Sequence, residues 1–283
     1  MKQFEVTQSS TLIKSIQKEI KELNFNQISA CLRKKDVKVN GKRVNKDVAL
    51  NAGDVVQVYY NAETPKVDRV YEDENILIVS KPTKVEVIGN DDDLVHRLAR
   101  EGVVATPCHR IDVNTAGLVI FAKNAEAEKI VLQAFKDKTL KKYYLAWVDG
   151  KFTKPADTLT AYLTKDADNA TVKVHKSQLP NSKQIITNYE VVEEFNSSSL
   201  LKVEIPTGRT HQIRAHLAFV GHPIIGDEKY GNKAVNKKFS LKMQCLTAVK
   251  LVLNFGEGNL SYLNGKQFET TCAWLNHTQK DKS

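Results

Sequence analysis

Between residues 158 and 205 the chain repeats one pattern. Short segments at 171–175, 185–192 and 200–205 alternate apolar with polar residues and are separated by turn-forming pairs such as Asn181-Ser182 and Asn196-Ser197. A period of two marks a strand with one face buried, and strands joined by such turns suit antiparallel pairing. This argues against a regular strand-helix repeat and predicts an α+β fold: a mixed, largely antiparallel sheet with flanking helices. Two apolar runs, 76–80 and 118–122, read as buried strands, the first ended by Lys81-Pro82. Asn124 can cap a helix over 125–138 whose apolar face is Ala127, Ile130, Val131, Ala134 and Phe135, and 141–148 returns to strand.

A smaller module precedes this part. Leu12, Ile13, Ile16, Ile20 and Leu23 recur at steps of three and four, which makes an amphipathic helix with Lys14, Lys18 and Lys21 on its polar face. A second helix is expected over 27–34. Asn40-Gly41 then joins two short strands in a hairpin, and Gly53-Asp54 turns into a strand over 55–60. Residues 1–60 hold 11 Lys plus Arg against 6 Asp plus Glu, so this fifth of the chain carries +5 of the net +9. A basic balance concentrated in a small module points to a polyanion, most often nucleic acid, although a solvated charged face has the same composition. Thr64-Pro65 marks a linker over 61–68, and the chain divides into 1–62 and 63–283.

His109-Arg-Ile-Asp-Val-Asn-Thr-Ala-Gly117 sets a single acid, Asp112, just before the second apolar strand and two residues after Arg110. A neighbouring cation favours the ionised form of a carboxylate, the form that acts as nucleophile or base. A polar turn built on Asp112, Asn114 and Thr115 would read the same way. About a hundred residues on, Thr210 can cap a helix over 211–220 with Ile213, Leu217 and Val220 inward and Gly221-His222-Pro223 as its stop. Arg214 then lies one turn inside a helix N-terminus, where a guanidinium can grip a buried carboxylate bidentately or form a purely structural pair. Val95-His-Arg-Leu98 mimics the first motif, but Ala99 stands where the acid would be, and its setting is helical.

Taken together, three segments resemble the RluA-type family of pseudouridine synthases. Its members carry H-R-L-D-x-x-T-S-G, then K-x-Y-x-A-x-V-x-G, then T-G-R-T-H-Q-I-R-x-H-L followed by G-H-P-I-x-G-D-x-x-Y-G. Here they read His109 to Gly117, Lys142-Tyr-Tyr144-Leu-Ala-Trp-Val-Asp-Gly150, and Thr207-Gly-Arg-Thr-His-Gln-Ile-Arg214-Ala-His-Leu217 with Gly221-His-Pro-Ile-Ile-Gly-Asp227-Glu-Lys-Tyr230-Gly231. The first module similarly resembles the small RNA-binding domain first known from a ribosomal small-subunit protein.

The resemblance implies isomerisation of uridine within structured RNA, with large-subunit ribosomal RNA ahead of transfer RNA as target. Asp112 would act as nucleophile or base, Tyr144 would lie against the base, with Tyr143 as competitor if the register slips, and Arg214 would pair with Asp112. By itself a strand tyrosine such as Tyr144 reads as core. His109, Arg110, Arg209, His211 and Gln212 would contact RNA at the pocket, and Arg33, Lys34, Lys35, Lys38, Lys42 and Arg43 would contact phosphates in the small domain. Three positions depart from the family pattern: Ala116 for serine, Thr247 where histidine is frequent, and Lys84 in place of the glycine of K-P-x-G.

Other chemistry finds little footing. A hydrolase using Asp112 would need a second positioned acid, which the three motifs do not supply. A non-enzymatic RNA-binding assembly factor would have no use for intact Asp112, Tyr144 and Arg214. No G-x-G-x-x-G or Walker segment occurs, and His211, His216 and His222 lack metal-ligand spacing, so no cofactor and no metal are expected. Cys31, Cys108, Cys245 and Cys272 form no C-x-x-C pair, no run is long and apolar enough to span a bilayer, and the first ten residues lack an apolar export region. A cytoplasmic monomer with reduced thiols is the expectation.

Overall fold

The computed structural model describes residues 1–23, 25–60, 66–166, 170–241 and 243–282. The expected break at Thr64-Pro65 lies outside them. Two compact units emerge, Met1–Lys66 with Asn90–Asp92, and Val67–Gly89 with Asp93–Ser283.

In the first unit the order is β1 (Lys2–Glu5), β2 (Ser10–Thr11), α1 (Leu12–Glu19), α2 (Phe25–Arg33), β3 (Val37–Val39), β4 (Lys42–Val44), β5 (Ala49–Leu50) and β6 (Val55–Val58). Helix α1 stops short of the periodic pattern, yet Ile20 and Leu23 stay buried with Leu12, Ile16, Ile28 and Val56 in one core. Asn40 and Gly41 both take positive φ, 49° and 78°, as a tight hairpin with right-handed strand twist requires. Strand β1, which periodicity did not reveal, closes the sheet against β6.

The second unit opens with β7 (Asp68–Glu72), β8 (Ile76–Lys81), α3 (Leu94–Arg100), β9 (Thr106–Pro107), β10 (Ala116–Ala122), α4 (Ala125–Lys136) and β11 (Lys141–Asp149). It continues through β12 (Ala156–Asp166), β13 (Thr171–His175), β14 (Lys183–Glu194), β15 (Ser198–Glu204), α5 (Gln212–Phe219), α6 (Lys233–Phe239), β16 (Leu246–Val252) and β17 (Gln267–Glu269), with a terminal 3-10 turn at Leu275–Asp281. The main sheet runs β13-β12-β14-β15-β11-β16-β10-β8-β7, with β17 beside β16 and β9 beside β10. Among the described residues every pair is antiparallel except β10 with β16, so the α+β expectation describes the molecule.

The apolar runs are buried on both faces because the sheet is covered twice. Leu77, Val79, Val119 and Phe121 join α3 and α5 in one core, while Ile76, Ile78, Leu118 and Ile120 join α4 in the other. Asn124 caps α4 by accepting the Ala127 N–H at 2.9 Å. Each fully buried leucine or isoleucine contributes roughly 1.5–3 kcal/mol. The near-copy of the motif, Val95 to Leu98, sits on α3, where Leu98 is core and His96 bonds its own N-cap, Asp93. Among the described residues no helix is long and apolar enough to cross a membrane, and all four cysteines are free thiols.

One row of registered residues crosses the middle of this sheet: Lys81, Gly117, Ala248 and Tyr144. Gly117 has φ 116°, and a Cβ built on it would stand 2.2 Å from the Ala248 carbonyl oxygen. Gly117→Ala is therefore expected to cost about 3 kcal/mol or more, from a left-handed side chain and a backbone clash together. Urea unfolding measures it; an unchanged midpoint would mean that β10 and β16 do not approach this closely.

Candidate active site

Because β10 and β16 run parallel, the loops that enter them open on the same edge of the sheet, and antiparallel β11 brings Tyr144 opposite Ala248 beside them. The β11–β16 register slips between Tyr143 and Tyr144, a local irregularity of the kind that re-aims a side chain. Tyr143 has the Lys202 ammonium 5.4 Å from its ring centre, while Tyr144 lines a cavity of about 640 Å³. The same cavity is bordered by Asp112, Arg110, Arg209, His211 and Lys142. Burial pushes the Tyr144 phenol above its ordinary range, and the Asp112 charge adds to the effect.

Asp112 sits in the turn before β10, where its carbonyl accepts the Thr115 N–H at 3.0 Å, so the turn and the acid are one structure rather than alternatives. Arg214, on α5 and 4% exposed, donates from Nη1 to Asp112 Oδ2 at 2.9 Å. Its bidentate grip goes elsewhere. Nε and Nη2 reach Asp227 Oδ2 and Oδ1 at 2.7 and 3.0 Å, and the backbone N–H groups of Lys229 and Tyr230 donate to the same Oδ1. Burial opposes the Arg214 charge, but Asp227 first and Asp112 second hold its pKa above the ordinary value. Burial likewise works against the Asp227 carboxylate, and Arg214 outweighs it and holds the pKa low. Asp227 has no role in the local reading of the third motif; its signal is the G-D-x-x-Y-G segment, which places it 13 residues beyond Arg214.

The start of α5 departs from the expectation. The helix begins at Gln212, its N-cap His211 lies in the left-handed region, and Thr210 makes no cap. Gln212 does that work from within: its Oε1 accepts from Thr207 Oγ1 and the Arg209 N–H, and its Nε2 donates to the Ile186 carbonyl and Thr187. With 2% exposure and both ends of its amide engaged, Gln212 is a clamp on the loop. Val220, expected inward, is 36% exposed because the helix ends at Phe219 and the chain turns away at Gly221.

His109 packs its ring against Phe135 at 4.8 Å between centres and accepts the Ile120 N–H on Nε2, leaving Nδ1 buried without a partner among the described residues. Burial, then Lys142, push its pKa down to about 3. Arg110 and Arg209 are exposed at the cavity. Three further residues bear on the site without having been given a role in it from sequence. Lys142 borders the cavity with its ammonium over the Phe135 ring, and burial lowers its pKa. Glu86 lines the cavity from outside the three motifs. Lys81, fully buried, donates to the carbonyls of Pro82, Val85 and Val113, and so ties the loop after β8 to the residue following Asp112. In that loop Lys84, which stands at the family's glycine, takes φ 64°, so the backbone keeps a conformation that glycine favours. Thr247, at the frequent histidine position, faces away and accepts from Trp274 Nε1 at 2.9 Å.

A sheet that brings an arginine-held carboxylate and a buried tyrosine into a cation-bordered cavity defines an enzyme for an anionic ligand. A match to the family described as RNA pseudouridylate synthase spans residues 75–219, and the chain belongs to that family of isomerases. It is 32% identical to a ribosomal large subunit pseudouridine synthase C of Vibrio vulnificus, over 77% of this chain and 75% of that protein. An uncharacterized RNA pseudouridine synthase of Mycoplasma capricolum is 32% identical over 95% of this chain and 96% of its own. Among solved structures, human RNA pseudouridylate synthase domain containing 1 aligns with a TM-score of 0.65 and 25% identity, over 77% of this chain and 88% of that one.

Removing one partner of a buried ion pair leaves an uncompensated charge, so Asp227→Asn is expected to cost roughly 3–5 kcal/mol of stability. Chemical unfolding of the variant checks this, and a midpoint within error of the wild type would show that Asp227 does not neutralise Arg214.

Proposed function

We propose that this enzyme converts specific uridines of large-subunit ribosomal RNA to pseudouridine, with Asp112 as the reacting acid. The observation that carries the reading is the pairing of Asp112 with Arg214 at the cavity that Tyr144 lines. The relatives named for the ribosomal large subunit favour that target, and transfer RNA is the alternative. In the reaction the N1–C1′ bond breaks, the freed uracil turns within the pocket, and C5 bonds to C1′. Hydrogen leaves C5 and N1 gains one, so atoms balance without a co-reactant.

A uridine inside a helix is out of reach, and the nucleotide must be turned out at an unstacking cost of a few kcal/mol. Arg110 and Arg209, exposed at the mouth, hold flanking phosphates in this reading, and the Tyr144 ring offers a surface for the uracil. Asp112 acts on the sugar as nucleophile or base, and Arg214 keeps it aimed. Glu86 gives a hydrolase reading the second acid it needs, but family membership favours isomerisation.

Residues 1–62 act as the RNA-binding module and 63–283 carry the reaction. Lys38 and Arg43 stand directly opposite each other on β3 and β4. Like charges in that position oppose folding, and a phosphate between them relieves the repulsion. Arg33, Lys34, Lys35 and Lys42 are exposed on the same unit.

Asp112→Asn is expected to lower conversion of a large-subunit ribosomal RNA transcript by about 100-fold or more while leaving affinity within a few-fold. Pseudouridine mapping and filter binding measure the two, and a variant that still converts uridine removes Asp112 from the mechanism. Lys34→Gln with Lys38→Gln and Arg43→Gln should weaken binding and flatten its dependence on log salt by about one for each phosphate no longer neutralised. An identical salt slope would show that this face does not touch RNA.

A further inference from the structure

His211 holds an unusual backbone. At φ 52° and ψ 18° it lies in the left-handed region immediately before α5. That conformation is strained for an L-residue and persists where surrounding contacts impose it. Both ring nitrogens meet such contacts. Nδ1 is 2.9 Å from the Tyr230 hydroxyl, and Nε2 is 3.9 Å from Asp112 Oδ2.

Counting protons decides which way the ring donates. The Tyr230 hydroxyl accepts the Val172 N–H at 2.9 Å, and among the described residues His211 Nδ1 is the acceptor left for its own proton. A hydroxyl donating to Nδ1 places the imidazole proton on Nε2, the side that faces Asp112. Burial, against the pull of Asp112, holds the His211 pKa below its ordinary value. Arg214 Nη1 donates to the same carboxylate oxygen. Two donors therefore converge on Oδ2, while Oδ1 accepts no hydrogen bond from the described residues.

We infer that His211, gripped by Tyr230, is a positioning residue for Asp112: its Nε2–H closes on Oδ2 beside Arg214 when a nucleotide fills the cavity, so that Oδ1 is the oxygen presented to the ribose. This rests on the reading of Asp112 as the reacting acid. At 3.9 Å the contact is about an ångström longer than an N–H···O hydrogen bond, and bonds of this kind in active sites often tighten only in the substrate complex. The strained backbone is what brings Nε2 toward the acid rather than out to the RNA.

The test uses the full chain and a large-subunit ribosomal RNA transcript labelled with tritium at uridine C5, since conversion releases that hydrogen to water. In single turnovers at saturating enzyme, His211→Ala should be slower by about ten- to a hundred-fold, as expected for a misplaced reacting group, with transcript affinity within three-fold of wild type. His211→Gln, which keeps a donor N–H near the same place, should recover most of the rate, and Tyr230→Phe should lie between. Nitrogen-15 spectra of histidine-labelled protein should show the His211 proton on Nε2. The inference is overturned by a proton on Nδ1, or by a His211→Ala effect confined to affinity with the saturated rate unchanged. Asp112→Asn measured alongside separates the two readings: if it still releases tritium, the assignment of Asp112 itself fails; if it is inactive while His211→Ala turns over normally, the positioning role alone fails.

Discussion

The site depends on one chain of charges, from buried Asp227 through buried Arg214 to half-buried Asp112. A guanidinium suits this place because it is planar, permanently charged and forked, so it can hold one carboxylate with two donors and still direct a third at another. A lysine would supply the charge without the direction. Buried ion pairs contribute little net stability, because desolvation offsets most of the attraction. What this one provides is geometry: Asp227 fixes the guanidinium, which fixes the acid. Backbone N–H groups of Lys229 and Tyr230 fix Asp227 in turn, so the arrangement is anchored in main chain rather than in mobile side chains.

The sheet provides the platform. Its single described parallel pairing turns two loop entrances toward the same edge, and Gly117 lets the strands approach as closely as that pairing demands. Lys81 extends the same logic from below. Burial pushes its ammonium down to about 7, Asp112 pulls the other way, and three carbonyls take its hydrogens. Those carbonyls belong to the loop after β8 and to Val113, so the lysine joins the two segments whose spacing sets where Asp112 stands.

Much of this was legible in the residues. The apolar runs of β8 and β10, the Asn124 cap, the Asn40-Gly41 hairpin and the alternation of β13 to β15 are local patterns, and local physics realises them where they occur. Elements whose reason is distant were not legible. Strand β16 lies between β10 and β11, which come about a hundred residues or more earlier, and β1, β7 and α6 exist because partners elsewhere cover them. In the site, the motif residues Asp112, Tyr144 and Arg214 were in view with roles; Lys142 and Lys81 stand at motif lysines whose part in bordering or bracing the site depends on distant packing, and Glu86 lies outside every motif.

Thus the chain by itself determined the fold class and the family and singled out Asp112 as the candidate acid, because periodicity, turn chemistry and motif spacing are properties of neighbours along the backbone. Only the tertiary structure decided that Arg214 spends its bidentate grip on Asp227, that Gln212 rather than Thr210 braces the start of α5, and that His211 turns toward Asp112. Those outcomes follow from which donors and acceptors meet once water is excluded, and a buried polar group must take the partner that packing brings to it.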